Sequence, residues 1–122
     1  MMKLQHRWAA LAMLALLGAC GDRNPLIGRW VLEPAPETAP IQERAAGALF
    51  TLGGGAVEFT AETRVVAGEA EKVTYTIDGS RITVFNERGR GTVYEVDGDM
   101  MVQSLPNPLG GEIRLRFRRA KN

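Results

Sequence analysis

Cysteine and histidine are almost missing from this sequence: there is one of each, Cys20 and His6, and both fall within the first 20 residues. From Gly21 onward there is neither. Disulfides, Cys- or His-ligated zinc, thiol nucleophiles and Ser-His-Asp hydrolysis are therefore closed to that region. Packing and hydrogen bonds alone have to hold it together. No cofactor and no metal site is expected. An excess of charge is lacking as well, with 15 Lys and Arg against 14 Asp and Glu. Setting aside Lys3 and Arg7 leaves 13 positive and 14 negative side chains. Binding of nucleic acid calls for a strongly basic domain, so no nucleic-acid partner is expected. Long apolar runs are missing too. The run from Trp8 to Leu17 has about half of the roughly 20 residues that a membrane-spanning helix needs.

What the first residues do contain is a basic start at Lys3 and Arg7, that short apolar run, and small residues after it, the three parts of an export signal in order. Leu17-Gly18-Ala19-Cys20 resembles the lipobox of bacterial lipoproteins, an apolar residue and two small ones before the cysteine that receives diacylglycerol. The resemblance implies cleavage before Cys20 and lipidation on it. Two or more acyl chains anchor a protein stably where one does not. It also implies the outer membrane, periplasmic face, because Gly21 rather than Asp follows the cysteine. The chain then divides into a lipoprotein signal peptide over 1–19, a lipidated tether over 20–25, and one domain over 26–122. The 103 residues from Cys20 onward suffice for one core and not two.

The domain starts on a strand signal, Leu26 to Glu33, with Trp30 and Leu32 on one face. Pro34-Ala35-Pro36 ends it. Thr38 is placed to cap a short helix with Pro40 in its first turn, and Ile41, Ala45, Ala48, Leu49 and Leu52 recur at helical spacing on one face. Gly53-Gly54-Gly55 stops that helix, and the period then changes to two. Strands are expected at Ala56–Thr60, Thr63–Ala67, Lys72–Ile77, Arg81–Asn86, Thr92–Val96, Met100–Leu105 and Ile113–Arg118. Asp78-Gly79-Ser80 and Asp97-Gly98-Asp99 read as tight hairpins, Asp-Gly being suited to positive φ. The second lacks the further carboxylates of a calcium loop. Pro106 to Gly111 makes the longest break.

Alternation is cleanest at the end, where Ile113, Leu115 and Phe117 face one way and Arg114, Arg116 and Arg118 the other, one face for a core and one for water. Eight strands suffice to close an antiparallel sheet, the first strand pairing with the last. The fold expected is mainly β: a small up-and-down eight-stranded barrel with one short helix after the first strand. Gly28-Arg29-Trp30, the helix and the meander together resemble the lipocalin-like (calycin) barrels, although lipocalins usually carry their helix after the barrel. The resemblance implies that Trp30 plugs the closed end beneath an arginine from the end of the last strand, Arg118 or its neighbour Arg119.

No carboxylate pair stands isolated in apolar surroundings, as a two-carboxylate hydrolase would want, and no enzyme is expected. Two functions remain. A carrier of a small apolar or amphipathic ligand would use inward residues, Tyr75, Val84, Tyr94 and Leu115. An envelope interaction module would meet another protein through its outer surface, where Arg114, Arg116 and Arg118 form a basic row. A hollow interior favours the first, and a filled interior with an exposed apolar patch the second.

Overall fold

The computed structural model describes residues 23–121. The expected export signal, Cys20 and the first part of the expected tether lie outside the described residues, as does Asn122. Eight strands form a closed barrel in which each pairs antiparallel with the next. In order they are β1 (Gly28–Leu32), β2 (Ala56–Phe59), β3 (Thr63–Val66), β4 (Glu69–Asp78), β5 (Arg81–Asn86), β6 (Gly91–Asp97), β7 (Met100–Pro106) and β8 (Glu112–Arg119), with one helix, α1 (Ile41–Leu52), between β1 and β2. The ring closes where Trp30, Val31 and Leu32 lie opposite Arg119, Arg118 and Phe117. The expected barrel, helix position and closing pair are all present.

Turn chemistry explains the register. Gly79 and Gly98 take the first position of two-residue loops with φ of 61° and 60°, a conformation that costs a glycine nothing and that matches the twist of the strands they join. The β3–β4 hairpin turns on Ala67-Gly68, and Ala67 is the one non-glycine residue among those described with a positive φ, 54°. That hairpin makes β4 longer than expected: it starts at Glu69 rather than Lys72. Its first four residues are all exposed, so no apolar alternation marked them as strand.

The helix differs from expectation at its start. Pro40, not Thr38, occupies the N-cap, and no side chain caps the first turn. Gly53 ends the helix, its N–H donating to the Phe50 carbonyl at 3.0 Å. The buried side of α1 is Ala46, Gly47 and Phe50, with Phe50 edge-on to Phe117 at 5.3 Å between ring centroids. At Gly47 the helix backbone comes close to the Leu32 side chain. The apolar row Ile41, Ala45, Ala48, Leu49 and Leu52 lies on the opposite side and is exposed throughout.

Because a meander alternates direction, its turns divide between two ends. One end collects the segment leading into β1, the turns at 60–62, 79–80 and 98–99, and the chain's exit from β8. The other collects α1 with its flanking segments and the loops at 67–68, 87–90 and 107–111. Between them sits a single core: Leu26, Trp30, Val57, Phe59, Val73, Ile82, Val84, Tyr94, Val96, Met101, Leu115 and Phe117.

Candidate functional site

The end where the chain enters is sealed. Gly28 holds φ at 131°, and a Cβ there would stand 3.0 Å from Nη1 of Arg119, so only glycine lets the strand begin so close to that guanidinium. Two residues on, Trp30 is fully buried and its indole N–H donates to the Leu26 carbonyl at 2.9 Å. The Arg119 guanidinium lies over the indole, 4.2 Å from the ring centroid. Its Nη1 and Nη2 donate to the carbonyls of Ile27 and Pro25, both at 3.0 Å. Cation–π attraction and two charge-assisted hydrogen bonds thus tie the last strand to the first residues of the domain. Of the two arginines that the resemblance offered for this place Arg119 takes it, while Arg118 points outward and pairs with Glu33 at 2.9 Å. The reason is parity: position 119 continues the inward series 113, 115, 117, and position 118 continues the outward one.

Above the plug the interior is packed. Phe59, Ile82, Val84, Tyr94, Met101 and Phe117 are each no more than 2% exposed and Leu115 only 5%. Phe59 meets Tyr94 edge-on at 5.1 Å and Tyr75 at 6.5 Å. The four inward residues expected to line a ligand cavity are all on inward faces. Val84, Tyr94 and Leu115 belong to the buried core, while Tyr75 packs against it and donates its phenol proton to the Thr60 carbonyl at 2.6 Å. Burial pushes the Tyr75 phenol up to about 12, against the opposing pull of Arg64. Burial raises Tyr94 as well, again opposed by Arg64.

One polar group inside the barrel was not anticipated. Arg64 lies opposite Phe59 in the β2–β3 register and shares its inward face. Its Nη1 donates to the Tyr94 hydroxyl at 3.1 Å, and its Nε and Nη2 both donate to Glu71 Oε1, the Nε at 3.0 Å. Burial works against the Arg64 charge, but Tyr94 and Glu71 more than offset it and hold the guanidinium above its ordinary value. The signal available in the sequence was the period of two: Arg64 and Val66 share a parity, and so do Glu71, Val73 and Tyr75. Among the described residues no buried side-chain N or O lacks a partner.

Clefts of useful size lie outside the barrel wall. One of about 390 Å³ runs between residues 33–36, α1 and β8, with Glu33, Glu43, Arg114 and Arg116 on its walls. Another of about 440 Å³, lined mainly by apolar groups, lies between α1 and β1 beside Val31, Pro34, Ala35 and Ala48. Two more, each of about 420 Å³, lie away from the helix, one beside Lys72, Phe85 and Glu87 and one beside Arg81, Glu95 and Arg114. No family model, curated protein or solved structure matches this chain.

The helix end carries the most exposed of the large apolar side chains. Ile41, Leu49 and Leu52 are 66%, 70% and 84% exposed, and Leu109, in the β7–β8 loop of the same end, is also exposed. The basic row is arranged differently from a free patch: Arg118 is paired with Glu33, and Arg114 and Arg116 share a cleft with Glu33 and Glu43. No group of three or more His, Cys, Asp or Glu among the described residues is placed to hold a metal ion. Cys20 lies outside the described residues. What the assembled surface offers chemically is apolar contact at α1, beside a cleft that carries Glu33, Glu43, Arg114 and Arg116.

Proposed function

We propose that this chain is a non-enzymatic lipoprotein, attached through Cys20 to the periplasmic face of the outer membrane, and that it works as an interaction module by meeting another protein through the α1 face. The observation that carries the choice between module and carrier is a contrast of burial. Of the inward side chains that a carrier would need, Val84, Tyr94 and Leu115 are core and Tyr75 packs against it, whereas the three large apolar side chains of α1 stand in water. Burying them on a partner would gain roughly 1.5–3 kcal/mol each at most, before the costs of association. The Arg119–Trp30 stack supports kinship with the lipocalin-like barrels, though such kinship fixes no ligand. The carrier reading would have to lean on Arg64, the charged group inside the barrel. Glu71 and Tyr94 already take three of its five N–H donors.

The test has three arms. Metabolic labelling with a fatty-acid analogue should mark the wild type and not Cys20→Ala, and density fractionation should find the labelled protein with the outer membrane. Mass spectrometry of protein extracted gently from the envelope should show the anchored chain without a further small molecule in stoichiometric amount. A photo-crosslinking residue at Leu49 should give a discrete protein adduct, and one at Ser80, at the opposite end, should not. A stoichiometric ligand, or equal adducts at both positions, would sink the module reading.

A further inference from the structure

β8 is longer than the strand that closes the ring against it. The pairing with β1 runs from Arg119 to Phe117, and the last bond of the seam is the Glu33 N–H donating to the Arg116 carbonyl at 2.8 Å. β8 itself begins at Glu112. Pro34-Ala35-Pro36 explains why β1 stops first: the two prolines have no N–H to give a ladder, and the chain turns off toward α1. Residues 112–115 are left with β7 on one side and no strand on the other.

The direction in which this bare edge points is fixed from both flanks. The Arg119 N–H bonds toward β7, to the Asp99 carbonyl, whereas the Arg116 carbonyl bonds toward β1. Main-chain groups alternate along a strand, so odd positions of β8 serve β7 and even positions face β1. The N–H and C=O of Arg114 therefore point into the space that β1 vacates, and no turn or loop bond among the described residues reaches them. That space is the cleft of about 390 Å³ that Arg114, Leu115 and Arg116 line, and on its α1 wall Gly47 presents no side chain to fill it.

We propose that the β8 edge in this cleft takes an extended peptide segment of another protein, antiparallel to β8 in the track β1 leaves, with one acidic side chain opposite Arg114. Strand addition draws affinity from main-chain hydrogen bonds and specificity from the side chains beside them. One residue opposite Arg114 both donates to its carbonyl and accepts from its N–H. The side chain of that residue falls on the outer face, beside Arg114 and diagonal to Arg116. No ion pair among the described residues uses either guanidinium, so both are open to a carboxylate. The residues before and after it point the other way, to the wall that carries Gly47 and Glu43, and Glu43 repels a second acid there. The sequence that fits is neutral, acidic, neutral. A small anion would meet the guanidiniums and leave the main-chain pair bare, and a second barrel is too broad for a space walled by α1 and residues 33–36. The cleft lies on the side of α1 away from Leu49, so this inference goes beyond the reading of that face and either can fail alone.

Amide-resolved NMR of the full chain in detergent micelles tests this. Two pools of short acetylated, amidated peptides serve as probes, one with a central Glu and one with a central Lys, each flanked by Ala, Thr or Val. At millimolar concentration the Glu pool should shift the amides of β8 from 112 to 116 and slow hydrogen exchange at Arg114, and the Lys pool should bind at least about ten-fold more weakly. Methylating the nitrogen of the central Glu should weaken binding by about ten-fold or more, while methylating the next nitrogen, which faces away from β8, should not. Arg114→Glu, with an unchanged melting curve, should reverse the preference to the Lys pool. Equal binding of the two pools, no binding, unaltered exchange at Arg114, or shifts confined to the exposed face of α1 would each overturn the proposal. Sodium acetate producing the same protection of Arg114 would show a small-anion site and overturn it too.

Discussion

Arg118 and Arg119 are neighbours of identical chemistry, and removing them one at a time should have very different effects. Arg119 lies over the Trp30 ring at 4.2 Å with its side chain only a third exposed. A partly desolvated cation–π contact of that kind contributes roughly 1–2 kcal/mol. Its two hydrogen bonds to the Ile27 and Pro25 carbonyls add about 1 kcal/mol each once the remaining solvent contact is allowed for. The ion pair with Asp99, at 3.4 Å and with the carboxylate 84% exposed, adds little. Arg119→Ala should therefore cost about 3–4 kcal/mol, a fall of roughly 10–25 °C in melting temperature for a domain of this size. Arg118→Ala, which breaks only a solvent-exposed pair with Glu33, should cost under about 1 kcal/mol. Arg119→Lys keeps the charge but loses the planar fork, and should recover less than half of the loss. Denaturant unfolding of each variant, followed by near-ultraviolet circular dichroism, provides the comparison. Equal losses at 118 and 119, or a loss below about 1 kcal/mol at 119, would refute the reasoning that parity selects the plug arginine.

Gly28→Ala should destabilise by about 2 kcal/mol or more, because φ is 131° and the new methyl meets Arg119; its effect should be smaller in the Arg119→Ala background, which a double-mutant cycle reads directly. Ala67→Gly should raise stability by roughly 0.5–1 kcal/mol by relieving the positive φ in the β3–β4 turn, and an unchanged unfolding midpoint would argue against strain there. The chain has two tyrosines, so phenolate absorbance reports Tyr75 and Tyr94 alone, and the folded protein should show no step at the ordinary value of about 10. Since the folded Tyr75 phenol is raised to about 12, its contribution to stability is complete below pH about 10 and is lost as the pH rises toward 12. A folded chain that forms phenolate near pH 10 would contradict this.

The sheet was legible in the sequence because its core is made by alternation. Ile113, Leu115 and Phe117 announce their face without reference to anything else, and Asp78-Gly79 and Asp97-Gly98 mark the hairpins beside them. Where a strand has no buried side, as at Glu69 to Lys72, the pattern has nothing to register, and that part of β4 was missed. Ala67-Gly68 was missed for a related reason, since alanine is a poor signal for a left-handed turn. The apolar row on α1 was visible as a row, but a row does not say whether it faces a core or water. Phe50 settles that in the fold, because its ring against Phe117 turns the row outward. Arg64 was overlooked because an arginine reads as surface until its register partner is known; opposite Phe59 it has to point inward.

The plug has a consequence for how the chain is made. Its two hydrogen bonds join residues 92 and 94 positions apart, and the strands beside them close the ring from its first member to its last. Contacts of such separation form late, after the intervening chain has been gathered. A nascent chain that has not yet emitted β8 has two raw strand edges, β1 and β7, and a tryptophan with no lid. It stays extensible for nearly the whole of its synthesis, the state in which a polypeptide can still be threaded through a narrow pore. A stop codon just before Arg119 would release a chain whose barrel lacks the residue that seals its end.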